Sequence, residues 1–411
     1  MIHIKEILID KYGKVPVSLY EVFKNFEDGK EMFFSGLASS FTNRKKTPFE
    51  RYIDIARIVF GFFEQMYVYQ TNLTLKDKFN VLLGKKFNDK FWKSFLNEFL
   101  SNESVSYEPC RGKARKDNFF EEYEKIFSIC PEIRHFSCIS HHFMRKIQKK
   151  THPFMTGYLI GFLGREEKLK IRKLLLPFLL TESVIHGIDD YVDDSERSKS
   201  DYTNDIFNII FGLFALTLYL LEQLKVEKTE IPRVVIGKKS RIEELVDSLF
   251  FSMVGLSEVP IIEKDTIKII DYREREEMEI AVKNMKIRAA GINIFLVLST
   301  YLLGKKNERD YNELCNLIKY YRMVELLEKD LKDIRKDLKN KDYTPVAVWW
   351  KKYKGDKNFK ERVRSLAEMF QRDANEISGR IRKYPNVKTC FMDAIDEKFK
   401  KIISDSERIK F

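Results

Sequence analysis

Apolar side chains recur every three or four positions along most of the chain. In residues 49–73, for example, Ile53, Ala56, Phe60 and Phe63 follow the spacing of one face of an amphipathic helix. Similar patterns cover residues 75–100, 119–129, 132–149, 174–194, 204–224, 240–256, 276–303, 307–339, 358–382 and 389–403. Strand-like alternation is missing, with the short stretch 233–236 as the one arguable exception. The pattern therefore predicts an all-α protein.

A polar stretch interrupts this pattern between residues 101 and 118. It combines turn-forming and charged residues without an apolar face, as expected for a connection between helical bodies. We therefore expect two parts, an N-terminal helical extension over residues 1–115 and a helical domain over residues 116–411. Shorter loops are expected within the larger part at residues 232–239 and 340–345.

The composition supports a folded helical protein and narrows the classes of partner. Hydrophobic residues make up 44% of the chain, and turn formers are few, with 17 Gly and 10 Pro. The net charge of +12 is spread among interleaved acidic residues, and no compact basic block with aromatics resembles a nucleic-acid module. Nucleic acid is therefore excluded. The basic balance reflects either ordinary solvated helix faces or a surface for anionic lipid or a phosphorylated substrate.

Cysteine usage and the apolar segments bear on location. The five scattered cysteines indicate no disulfide framework, which favours a reducing compartment. Charges recur every few positions at the start of the chain, unlike the apolar core of a signal peptide. The longest nearly apolar run, residues 206–221, is shorter than the ~20 residues that span a bilayer. We expect a cytoplasmic protein, with peripheral membrane contact and a homodimer as open alternatives.

Four carboxylates fall within six positions at the end of an apolar helical stretch. They are Asp189, Asp190, Asp193 and Asp194, named here the first acidic cluster. Like charges four residues apart on a helix repel by roughly a few tenths of a kcal/mol per pair, a cost that a bound cation would remove. Mg²⁺ takes oxygen ligands, usually one or two carboxylates together with substrate phosphates. The cluster is therefore either a magnesium site or an acidic helix end that leads into a polar loop.

A second acidic cluster consists of Asp330, Asp333 and Asp337. Their i, i+3, i+7 spacing places all three on one side of a helix. A helix rich in Lys and Asp is ordinarily a solvated face, so this cluster alone is a weak signal. Both clusters, however, follow strongly apolar helical sequence. Together they indicate carboxylates at the mouth of an apolar pocket, where Mg²⁺ would bind the diphosphate of a hydrophobic substrate.

These segments resemble the class I isoprenoid (terpenoid) synthase superfamily. Residues 189–193 resemble its first metal motif, Asp-Asp-x-x-Asp, and residues 327–345 resemble its second motif and the loop beyond. The ending Tyr-Thr-Pro at 343–345 is similar to that of squalene and phytoene synthases. The first motif together with Trp349-Trp350 is similar to large bacterial terpene synthases of the tetraprenyl-curcumene type. The resemblance covers roughly residues 153–350. It implies a helical bundle around a deep apolar cavity, Mg²⁺ as cofactor and a prenyl diphosphate as substrate.

The resemblance also implies roles for particular residues. The expected metal ligands are Asp189, Asp190, Asp193, Asp330, Asp333 and Asp337, of which Asp189, Asp190 and Asp193 are the expected catalytic residues. Mg²⁺ together with Arg or Lys stabilises a leaving diphosphate. The expected diphosphate-binding cations are Lys286, Arg288, Arg322, Lys329 and Lys341.

The chain departs from the family pattern in two places. Lys329 stands where the second motif usually begins with Asp or Asn, and the Gly-Lys-x-x-Arg segment of chain-elongating prenyl synthases is missing. The resemblance therefore favours a terpene synthase that ionises an allylic prenyl diphosphate and cyclises the carbocation. The alternatives are squalene- or phytoene-type head-to-head condensation, head-to-tail chain elongation, and a non-catalytic helical protein that binds prenyl lipids.

Overall fold

The computed structural model describes residues 3–42, 46–68, individual positions between 181 and 216, and 241–409. Helices account for 85% of the described residues, and no strand occurs among them. The prediction of an all-α protein is thus confirmed for this part of the chain. The polar break at 101–118, the helices predicted between residues 75 and 149, the loop at 232–239 and the arguable strand at 233–236 lie outside the described residues.

The described residues form two compact units. Those up to position 216 belong to the first unit, and those from position 241 belong to the second. The first unit begins with four helices, which are α1 (His3–Tyr12), α2 (Val17–Phe23), α3 (Gly29–Ser40) and α4 (Pro48–Val68). Helices α1, α2 and α3 all pack against α4, the longest of the four.

Two glycines allow helices of the first unit to approach closely. A Cβ at Gly61 of α4 would lie 2.7 Å from the carbonyl oxygen of Gly29, the first residue of α3. The positions described between 181 and 192 and between 205 and 216 are also helical. There a Cβ at Gly187 would lie 2.8 Å from the Ile209 side chain, and Ile206 and Ile209 are fully buried. The apolar sequence ahead of the first acidic cluster is therefore packed against a second apolar helical stretch.

The second unit is a bundle of eight α-helices and a short 3₁₀ helix among the described residues. The elements are α5 (Arg241–Ser257), α6 (Val259–Thr266), the 3₁₀ helix (Ile267–Asp271), α7 (Glu274–Arg288), α8 (Gly291–Leu302), α9 (Arg309–Asn340), α10 (Pro345–Tyr353), α11 (Lys357–Arg380) and α12 (Pro385–Arg408). Helix α9 is the longest and packs against α10, α11 and α12. Its apolar stripe, which includes Leu317, Val324 and Leu331, is buried.

The predicted helices of this unit largely match the observed ones. The stretch predicted at 276–303 is divided, however, because α7 ends at Arg288 and α8 begins at Gly291 with a bend of 50° between them. The loop predicted at 340–345 is present. There Lys341 ends α9 in the left-handed conformation (φ 63°), and Thr344 caps α10 by accepting a hydrogen bond from the Ala347 N–H at 3.2 Å.

Two parts of the second unit have the length and apolar composition of a membrane span. Within the residues that the structure describes, these are the helical stretch Glu244–Asp271 and the bent pair formed by α7 and α8. Core helices of bundles share this length and composition, and the α8 side chains Ile294, Leu298 and Leu302 are buried inside this unit.

Candidate functional site

The second acidic cluster lies on one face of α9, as its spacing predicts. Asp330 is 2% exposed, Asp337 is also buried and Asp333 is partly exposed. The long apolar stripe of α9 fixes the rotation of this helix, and the three carboxylates follow one edge of that stripe. Asp330 and Asp337 are therefore buried, whereas the carboxylates of an ordinary solvated helix face are exposed.

Asp330 forms an ion pair with Arg288, the last residue of α7. The Arg288 guanidinium donates from both terminal nitrogens, with Nη1 2.6 Å from one carboxylate oxygen and Nη2 2.8 Å from the other. Burial opposes the charge of this guanidinium, yet the charge and hydrogen bonds of Asp330 raise the pKa of Arg288 above its usual range. The guanidinium therefore stays charged, and this two-point geometry is the strong form of an Arg–carboxylate contact.

Asp337 lies about two helical turns beyond Asp330 on α9 and is held by the loop that follows this helix. The Thr344 hydroxyl donates to the Asp337 carboxylate at 3.2 Å, while the same oxygen caps α10. Burial and the nearby charges of Asp330, Asp342 and Asp333 raise the pKa of Asp337 to about 7, although the Thr344 hydrogen bond acts in the opposite direction. Burial and the three neighbouring carboxylates therefore disfavour the charged form of Asp337.

The carboxylates differ in how well they fit a magnesium ion. Asp333 and Asp337 lie four residues apart on one helix face, and a cation would relieve the repulsion that neighbouring carboxylates exert on Asp337. Asp330 does not fit, because Arg288 occupies both of its oxygens. Among the described residues, no three His, Cys, Asp or Glu side chains form a metal cage. A magnesium ion here would be held by two carboxylates and substrate oxygens, which is common for this ion.

Of the predicted diphosphate-binding cations, the two arginines form ion pairs and the three lysines are exposed. Arg288 contacts Asp330, and Arg322 pairs with Glu325 of its own helix at 2.5 Å. Lys286, Lys329 and Lys341 are exposed. The structure thus brings one of the five cations, Arg288, into contact with the second acidic cluster within the described part of the chain.

The first acidic cluster belongs to the first unit. Asp189 is helical and exposed, so its carboxylate is accessible to a hydrated cation. Asp190, Asp193 and Asp194 lie outside the described residues. Their predicted roles as metal ligands and catalytic residues stay predictions.

The N-terminal helices contact the backbone of this cluster through residues that the sequence reasoning missed. Arg51 of α4 is 5% exposed and donates two hydrogen bonds to the Val192 carbonyl oxygen, from Nε at 3.0 Å and from Nη2 at 2.7 Å. Tyr191 is buried, and its hydroxyl donates to Asp54 of α4 at 3.3 Å. The sequence offered no specific signal for this contact, because Arg51 and Asp54 are two of the five charged residues of α4.

A second buried charge network also escaped the sequence reasoning. Glu277 of α7 is 1% exposed and accepts hydrogen bonds from Tyr353 Oη at 2.8 Å, from Arg362 Nε at 3.2 Å and from the Lys352 ammonium. Lys352 also donates to the carbonyl oxygens of Ile269 and Tyr272. These bonds join α7, α10, α11 and the 3₁₀ helix. The network therefore holds these elements of the bundle together.

Comparison with protein-family models, with curated proteins and with solved structures found no match for this chain. The resemblance to isoprenoid synthases therefore depends on the sequence motifs between residues 189 and 350.

Proposed function

We propose that this protein is a magnesium-dependent enzyme that ionises an allylic prenyl diphosphate, with cyclisation of the resulting carbocation as the favoured outcome. The observation that carries the proposal is the second acidic cluster of α9. Its carboxylates share one helix face, and burial and mutual repulsion raise the pKa of Asp337 to about 7. A carboxylate site that favours protonation in the absence of a cation is electrostatically prepared to accept one.

Metal binding and diphosphate binding would fall to different residues. Asp333 and Asp337 would hold Mg²⁺, and Asp189, Asp190 and Asp193 are the proposed ligands of the first acidic cluster. The bound metal would stabilise negative charge on the departing diphosphate. Arg288 neutralises Asp330 and so limits the repulsion within the second acidic cluster. The exposed ammonium groups of Lys286, Lys329 and Lys341 are accessible to a diphosphate. A substrate with an apolar tail suits a protein whose helices carry broad apolar stripes.

The test is incubation of the purified protein with Mg²⁺ and allylic prenyl diphosphates of increasing chain length. Released diphosphate and hydrocarbon products are measured together. Asp337→Asn and Asp190→Ala are each expected to lower diphosphate release by about a hundredfold, the scale on which a group stabilising transition-state charge contributes. Asp393→Asn is the matched control, because Asp393 is an exposed carboxylate of α12. Cyclic hydrocarbon, a condensed product or an elongated diphosphate would identify cyclisation, head-to-head condensation or chain elongation.

One observation favours a second candidate function, a non-catalytic helical protein that binds prenyl lipids. Arg288 already satisfies Asp330, so one of the three carboxylates of the second acidic cluster is paired without any ligand. This second function predicts that prenyl diphosphates bind equally well with Mg²⁺ and with EDTA and are recovered intact. The enzymatic function predicts magnesium-dependent binding and release of diphosphate.

A further inference from the structure

Helix α4 of the first unit fixes the backbone of the first acidic cluster at Val192. The Arg51 guanidinium bonds to the Val192 carbonyl oxygen through Nε and Nη2 and to the Lys46 carbonyl oxygen through Nη1 at 3.0 Å. Val192 directly precedes Asp193 in the sequence. The contact joins residues that are 141 positions apart, so it is a tertiary anchor rather than a local turn.

A second anchor lies at the neighbouring residue. Tyr191 is 2% exposed, and its hydroxyl reaches the Asp54 carboxylate at 3.3 Å. Asp54 is itself 3% exposed and pairs with the Lys46 ammonium at 2.5 Å. The two central residues of the Asp-Asp-Tyr-Val-Asp motif are therefore both bonded to α4, Tyr191 through its side chain and Val192 through its backbone. Lys46, ahead of α4, contacts Arg51 and Asp54 and so supports both bonds indirectly.

The charge of Arg51 gives this anchor an electrostatic role. Within the described residues its hydrogen-bond acceptors are carbonyl oxygens, and it forms no ion pair there. A buried guanidinium is costly unless negative charges lie near it, and Asp54, three residues farther along α4, supplies one of them. The sequence around Val192 supplies the opposite charge, because Asp189, Asp190, Asp193 and Asp194 surround it along the chain. The Arg51 charge is thus opposite in sign to the charge of this segment of the sequence.

We propose that Arg51 is a positioning residue of the first acidic cluster, which it holds in the arrangement that binds a divalent cation. The inference rests on the proposed function, since it assigns the cluster the role of holding Mg²⁺. It also gives the N-terminal helices a role, because α4 supplies the support on which the acidic segment is built. Tyr191, Asp54 and Lys46 complete this support.

The experiment compares Arg51→Met, Arg51→Lys and Tyr191→Phe with the wild-type full chain. Arg275→Met is the matched control, because the Arg275 side chain is 91% exposed. Hydrogen exchange of the peptide that contains residues 184–192 measures anchoring, with a peptide of α9 as internal reference. Electron paramagnetic resonance of Mn²⁺, used in place of Mg²⁺ and without substrate, measures cation affinity. Circular dichroism verifies that each variant retains its helix content.

Arg51→Met is expected to speed exchange in residues 184–192, to leave α9 unchanged and to weaken Mn²⁺ binding by about tenfold or more, the usual effect of losing a group that orients metal ligands. Arg51→Lys should restore part of the affinity, and Tyr191→Phe should have a smaller effect of the same kind. Unchanged exchange, or faster exchange with wild-type Mn²⁺ affinity, would overturn the positioning role and leave the proposed function standing. If the wild type itself binds no Mn²⁺, the proposed function fails, and the positioning role fails with it.

Discussion

Arg288 and Asp330 join α7 to α9 through two hydrogen bonds of 2.6 and 2.8 Å between the guanidinium and the carboxylate. The Asp330 side chain is 2% exposed and that of Arg288 is 14% exposed. This pair determines which carboxylates of the second acidic cluster are available to a ligand. It occupies both oxygens of Asp330 and leaves Asp333 and Asp337 as the carboxylates of this cluster that the proposed cation site would use.

Removing one member of this pair should destabilise the second unit strongly. Arg288→Met leaves Asp330 charged, buried and without its partner, and Asp330→Asn leaves the buried guanidinium in the same condition. Each is expected to lower the free energy of unfolding by about 3 kcal/mol. Urea unfolding of both single variants and of the double variant measures the coupling between the two side chains. Additive losses in the double variant would contradict a direct ion pair.

Asp337 should make the stability of the protein depend on pH. Its folded pKa of about 7 lies above the ordinary value of about 4, so the folded state holds this proton more tightly than the unfolded state. The stabilisation of the folded state by Asp337 is therefore complete below pH ~4 and is lost as the pH rises through ~7. Asp330, Asp333 and Asp342 repel the charged form, and the Thr344 hydrogen bond and the Arg288 charge act against that repulsion.

Asp337→Asn tests this pH dependence. The full shift corresponds to about 4 kcal/mol, and solvent screening of this incompletely desolvated carboxylate reduces the expected effect to about 1–2 kcal/mol. In EDTA, the variant should therefore be more stable than the wild type at pH 8 by that amount and should match it near pH 4. Thermal unfolding across this pH range measures the difference. Parallel curves for wild type and variant would show that Asp337 does not titrate in this way.

Thr344 should stabilise the second unit through two contacts of a single hydroxyl. It caps α10 at the Ala347 N–H and donates to Asp337, both at 3.2 Å. Thr344→Val keeps the shape of the side chain but removes both bonds, for an expected loss of about 1 kcal/mol. Thr344→Ser retains the hydroxyl and serves as the control. Chemical denaturation of the two variants should place Thr344→Ser near the wild type, and equal losses would assign the effect to packing instead.

Gly187 should be intolerant of a side chain because of the close helix contact ahead of the first acidic cluster. A Cβ there would lie 2.8 Å from the Ile209 side chain and 3.1 Å from the Asp205 carbonyl oxygen. Gly187→Ala is expected to destabilise the first unit by about 1–3 kcal/mol through overpacking. Gly379→Ala is the control, because a Cβ at this exposed position of α11 meets nothing within 4 Å. At position 379 the higher helix propensity of Ala should raise the free energy of unfolding by about 0.5–1 kcal/mol. Calorimetry of both variants measures these changes.

Local sequence predicts the long helices well and the breaks between them poorly. Helix α9 is predicted at 307–339 and observed at Arg309–Asn340, because its apolar stripe continues for many turns. The break at Ala289 and Ala290 is not predicted, since alanine carries no local stop signal and the 50° bend depends on packing with other helices. Helix α10 also escapes prediction, because nine residues are too few to show a clear period.

The same distinction holds for the candidate sites. Helical spacing predicts that Asp330, Asp333 and Asp337 share one face. It does not predict the partner of Asp330, because Arg288 lies 42 positions away on another helix. Arg51 is harder still to foresee, since its acceptor is the backbone of Val192 and any residue there carries the same carbonyl group.

The most direct test of the account is the rate at which the wild-type protein releases diphosphate from an allylic prenyl diphosphate, measured with Mg²⁺ and again with excess EDTA. The account predicts release that requires Mg²⁺, that falls by about a hundredfold in Asp337→Asn and that is unchanged in Asp393→Asn. Recovery of intact substrate under both conditions, with prenyl diphosphate bound equally well in Mg²⁺ and in EDTA, would contradict it.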